Sequence, residues 1–189
     1  MPAIIFDQTL YDNKLRNNFK KLNLKTGDIV LIGLFFISLG LTIWGISIYR
    51  FTIIDTKYLL ATIAIGICIS LVALTFSVKS SYSTFWAAFI KTGIGGGFFY
   101  FGLLFLNQQF ADKELLTNDF LIIKTGTLGR GGKSICSQPY AVIDFYGTEK
   151  ELLFYCGFSE IIKRSSKVTL TYSKGTFGFN VIKSQSLRN

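Results

Sequence analysis

Three apolar runs, each long enough to cross a bilayer, occupy the first 106 positions of this 189-residue chain, at 29–49, 58–78 and 85–106. The first is bracketed by Asp28 and Arg50 with no charge between them. About 20 apolar residues in a helix span the roughly 30 Å hydrocarbon core of a membrane. A buried helix of a water-soluble protein seldom needs so long an uncharged stretch. The second run is as clean, its polar residues being Thr62, Cys68, Ser70, Thr75 and Ser77. The third carries Lys91 and five glycines, Gly93, Gly95, Gly96, Gly97 and Gly102, which lower helix propensity in water but are tolerated in apolar helices. The expected architecture is a membrane α-helical region of three transmembrane helices followed by a small all-β domain. Its divisions are a basic segment over 1–28, helices over 29–106 and an extramembrane β domain over 107–189. The first run starts too late and is too long for a cleaved signal peptide, so it reads as a retained anchor.

Basic residues near membrane ends stay in the cytoplasm. Lys14, Arg16, Lys20, Lys21, Lys25, Lys79 and Lys91 lie toward one side, against Arg50, Lys57, Lys113 and Lys124 toward the other. This places the N-terminus in the cytoplasm and the C-terminal domain outside, in the periplasm or extracellular space. A bacterial inner membrane is the expected location. Leu15, Phe19 and Leu22 recur at helical spacing among lysines, which suits an amphipathic helix on the cytoplasmic leaflet. A plain flexible lead-in fits the same residues. The formal net charge of +9 is spread along the chain, with no patch that would track a nucleic acid, so nucleic acid is not an expected partner.

Gly93 and Gly97 form a G-x-x-x-G pair with Gly96 beside them, a surface another helix backbone can approach closely. They are helix-contact candidates, toward the rest of this chain or toward a partner subunit. Short connections at 50–57 and 79–84 suggest that the three helices pack as sequential antiparallel neighbours.

Beyond Gln109 the pattern shortens. Strand signals run over 120–124, 140–146, 151–156 and 168–172, and again through Phe177, Phe179 and Val181. Ala141, Ile143 and Phe145 share one face of their strand. Five strands imply an antiparallel barrel or curled sheet, with Phe145, Phe154, Phe177 and Phe179 as core candidates and a short helical turn near 159–165. Cys136 and Cys156 are candidates for a disulfide if the domain is extracytoplasmic. Lys91, Arg130 and Lys133 are candidates for contact with lipid headgroups or a partner.

The tail resembles a group of bacterial membrane proteins that join a few helices to a small β domain. The residues carrying the resemblance are Gly126 and Leu128, then Pro139, Tyr140, Val142 and Phe145, then Val168, Leu170 and Tyr172. Phe145 follows Val142 at a spacing one residue longer than in that group, and Lys174-Gly175 replaces a proline-rich turn. The resemblance implies the fold and no activity.

The chain has no histidine, which removes Ser/His/Asp and Cys/His catalysis together. Gly132-Lys133-Ser134 lacks the first glycine of a phosphate loop, because Leu128 stands in its place. The spans hold no Asp, Glu or His, so nothing in them resembles a proton relay or cation path. These features point to a non-enzymatic accessory subunit of a membrane complex, needing no cofactor or metal, with other membrane subunits, further copies of itself and lipid headgroups as partners. The alternative is a membrane-anchored sensory or ligand-binding module whose pocket lies in the β domain. A membrane enzyme and a homo-oligomeric channel rank below these.

Overall fold

The structure, a computed structural model, describes residues 26–77, 84–129 and 137–188. The basic segment with its proposed amphipathic helix, and Arg130, Lys133 and Cys136, lie outside the described residues. Three long helices come first: α1 (Thr26–Arg50), α2 (Thr56–Ser77) and α3 (Thr84–Gln109). Each is long and apolar enough to cross a membrane, and their outward surfaces carry large apolar side chains such as Phe36, Ile43, Val72 and Phe89. This is consistent with a membrane protein.

The helices do not pack in sequential order. α3 lies between α1 and α2 and packs along both, while α1 and α2 barely meet. The cause is in α3's glycines. Successive helical residues turn by about 100°, so Gly93 and Gly97 share one face and Gly95 lies nearly opposite. Gly93 faces Phe35 of α1, and a Cβ on Gly97 would overlap Ser38 and Thr42. On the opposite face, a Cβ on Gly95 would overlap the Gly66 backbone and Ser70 of α2. Each flanking helix also sends a serine hydroxyl to α3. Ser38 Oγ donates to Gly93 O and Ile94 O at 2.9 and 3.1 Å, and Ser70 Oγ donates to Lys91 O at 2.6 Å. Such interhelical bonds in an apolar setting are each worth about 0.6 kcal/mol. Here they also fix the register of three otherwise featureless surfaces.

The C-terminal part is a six-stranded antiparallel sheet curled into a nearly closed barrel, where the sequence suggested five strands. The additional strand, β1 (Thr52–Ile53), comes from the α1–α2 connection and pairs with the last strand. It carries too few residues for an alternation signal. The others are β2 (Leu116–Leu128), β3 (Gln138–Phe145), β4 (Thr148–Leu153), β5 (Lys167–Lys174) and β6 (Asn180–Arg188), in the order β1-β6-β5-β2-β3-β4. A short helix, α4 (Ser159–Arg164), adds Ile162 to the core.

Alternation explains the core. Ala141, Ile143 and Phe145 of β3 point inward with Val168, Leu170 and Tyr172 of β5, joined by Phe120, Leu152 and Phe154. Phe177 and Phe179 do not belong to it. β6 begins only at Asn180, and both residues sit in the preceding turn, where Phe177 is exposed and Phe179 packs on Tyr58 of α2. The β3–β4 turn is the two-residue loop Tyr146-Gly147, both with positive φ, at 50° and 89°. That geometry matches the twist of paired strands. Asp144 Oδ1 accepts from Gly147 N at 2.6 Å, which gives this exposed carboxylate a role in the turn.

Buried polar side chains fasten the barrel to the helices, Asn107 among them. Asn107, fully buried near the end of α3, donates to Phe179 O at 2.9 Å and accepts from Phe177 N at 3.0 Å. Gly175 lets that amide approach, since a Cβ there would collide with it. Asp112 N donates to Lys174 O and Thr176 Oγ1 donates to Phe110 O beside it.

Candidate functional site

Among the described residues, the barrel's one unpaired junction lies between its edge strands, β1 and β4. β1 is two residues long, so it fills this seam only at the helix-proximal end. Farther along, β4 and β6 face each other across a gap that no backbone ladder closes.

Side chains bridge both ends of the gap. In β4, Lys150 stands in phase with the inward residues Leu152 and Phe154 and is itself buried, at 7% exposure. Its Nζ donates to Thr52 O at 2.7 Å and to Tyr49 O at 2.8 Å, and lies 4.6 Å from the centroid of the Tyr49 ring. An inward-facing lysine is tolerated because two carbonyls and an aromatic face replace part of its hydration. Burial still drives the amine down to about 8 from 10.5, against the opposing pull of the Glu151 carboxylate. At the other end, Gln185 Nε2 donates to Leu153 O at 2.6 Å, joining β6 to β4.

Between these bridges is a cleft of about 770 Å³. Its lower wall is the last turn of α1, with Ile46, Ser47, Arg50 and the adjoining Phe51, and its sides come from β4 and β6, including Ile182, Lys183, Ser184 and Phe154. Arg50, Lys150 and Lys183 bring three positive charges to it and Glu151 one negative. The cleft thus pairs an apolar floor with a net positive rim, directly above the end of an apolar helix. Pockets of this size, apolar with a few placed charges, are the usual form of small-molecule sites.

A second hollow lies among the helices. Because α3 lies between α1 and α2 and its glycines leave little side-chain bulk over it, a groove of about 420 Å³ runs between Phe35 and Leu39 on one wall and Ile63 and Ile67 on the other, floored by Gly93, Gly96, Gly97 and Tyr100.

The residues singled out from sequence are thus distributed. Gly93 and Gly97 face α1, and Gly96 lies toward Ile63 and Ile67 of α2. Lys91 is buried at 8% exposure, with its amine 3.4 Å from Thr75 Oγ1, so it does not reach out along the helix surface. Cys156 is disulfide-bonded and sits in a 3₁₀ turn after β4, where the sequence suggested a strand. Cys68 is a free thiol on the outer face of α2. Among the described residues no cluster of His, Cys, Asp or Glu could hold a metal ion. Sequence reasoning passed over Lys150, Tyr49 and Gln185. The available signal was Lys150's phase: it alternates with Leu152 and Phe154, a position that an ordinary surface lysine does not take.

No protein-family model, curated protein or solved structure matches this chain.

Proposed function

We propose that this chain is a membrane-anchored, non-enzymatic binding module. The three apolar helices span the bilayer, the barrel stands on the outer side, and the seam cleft receives the ligand. The cleft carries the reading: it is bridged at both ends, mixes apolar and cationic walls, and is built jointly from α1 and the β domain. The distribution of basic residues supports the outward orientation. A disulfide at Cys156 suits an oxidising compartment as well. The chain offers no histidine, which removes catalysis through an imidazole.

The interhelical groove favours a second reading, the accessory subunit of a membrane complex, in which a partner's helix would lie over Gly93, Gly96 and Gly97. Mass measurement of the intact particle after gentle detergent extraction separates the two. The binding-module reading expects a particle without a stoichiometric protein partner that carries a small-molecule adduct. Ser184→Trp, which fills the cleft from an exposed position, should remove that adduct and leave the fold intact by circular dichroism. A protein partner in fixed ratio, with an adduct indifferent to Ser184→Trp, would transfer the assignment to the subunit reading.

A further inference from the structure

We infer that the seam cleft takes the headgroup of an anionic phospholipid, drawn laterally from the outer leaflet with its acyl chains left lying along α1. The inference rests on the binding-module reading and adds the ligand's class.

The cleft is continuous with the lipid-facing surface. Arg50 and Ile46 line it, and Ile43 and Leu39 continue the same stripe down α1 at spacings of three and four residues. Those three apolar residues are 47–63% exposed, so the stripe is open to acyl chains. A water-soluble ligand would have no use for that apolar approach.

The charge is that of a phosphate site. Arg50 at the end of α1 and Lys183 on β6 both line the cleft, on neighbouring backbone, since Ile182 N donates to Phe51 O at 2.7 Å. An arginine fork with a lysine point charge is a pairing suited to phosphate oxygens. Lys150 lies deeper, held by two carbonyls, and adds field at the inner end. Glu151 offsets one of the three cations, leaving the rim net positive. A zwitterionic headgroup offers the same phosphate but adds a cation that this net positive rim repels.

The rim also has the right height. Tyr49, Phe51 and Tyr58 cluster at the same ends of α1 and α2, as aromatic residues do at the headgroup level of a bilayer.

The test uses the full chain, delipidated in a neutral detergent and titrated under native mass spectrometry with phosphatidylglycerol, phosphatidylcholine and glycerol phosphate. Phosphatidylglycerol should bind about 30-fold more tightly than phosphatidylcholine, roughly 2 kcal/mol at about 1 kcal/mol per basic residue. The double variant Arg50→Gln, Lys183→Gln should lose that preference, and Ser184→Trp should abolish binding of the first equivalent. Preference retained in the double variant overturns the inference, because the charge selecting the lipid then lies elsewhere. Glycerol phosphate binding as tightly as the lipid also overturns it, by removing the role of the apolar stripe. Binding abolished by Ser184→Trp but indifferent to headgroup charge refutes the lipid class while leaving the cleft as the binding site.

Discussion

Lys150→Met tests the seam directly. Methionine keeps the length and much of the shape of the side chain but gives up both carbonyl bonds. Two hydrogen bonds from a charged donor contribute about 3–6 kcal/mol. Burying the ammonium costs about 3 kcal/mol, from the difference between an amine at about 8 and one at 10.5. The net loss on substitution near pH 7 is then about 0–3 kcal/mol. Its pH dependence is the sharper readout. The folded-state value lies below that of the unfolded chain, so between about 8 and 10.5 the unfolded chain holds more protons. Stability should therefore rise with pH through that window and fall away as pH drops through about 8. Linkage gives the wild-type protein about 2 kcal/mol between about pH 7 and about pH 9.5. Denaturant melts in maltoside detergent, followed by circular dichroism at both pH values, should show the gap between wild type and Lys150→Met widening by that amount. The remaining titrating groups cancel in the difference. A gap that stays constant within about 0.5 kcal/mol would refute the reasoning, since the amine would then not be buried in the seam.

Other predictions follow from the packing. Gly97→Ala should destabilise the helices by about 1–3 kcal/mol through overlap with Ser38 and Thr42, whereas Gly102→Ala, whose Cβ would meet nothing within 4 Å, should be neutral or stabilising by up to about 1 kcal/mol; thermal melts in detergent compare them. Asn107→Ala should cost about 1–3 kcal/mol, because Phe177 N loses its acceptor while Phe179 O keeps the bond from Gly175 N. Hydrogen exchange should then quicken first in the 175–180 turn. A cysteine at the exposed position Lys174 should react with an impermeant thiol reagent added to intact cells, and labelling only after lysis would reverse the orientation proposed above.

Much of the architecture was legible because its signals are local. Phe145, Leu170 and Tyr172 reached the core as their alternation required, for a strand's period of two reports directly which face is buried. Phe177 and Phe179 misled for the same reason. They alternate with Val181, yet the chain has not entered the ladder there, because Asn107 holds that turn against α3 from 70 and 72 positions away. The candidate site was hidden more completely. Arg50, Lys150 and Lys183 are distant in the chain and individually ordinary. Only closure of the barrel against α1 makes them neighbours.

Taken alone, the sequence determined the three apolar helices, the change to short strands after Gln109 and the absence of histidine chemistry. These are matters of composition and periodicity, which each segment carries within itself. Tertiary structure decided that α3 lies between its neighbours, that the α1–α2 connection supplies the edge strand, and that Lys150 turns inward to bridge the seam. Those outcomes depend on which backbones approach closely enough for a glycine to matter and which carbonyls are left for a buried ammonium. Both are properties of surfaces brought together by folding.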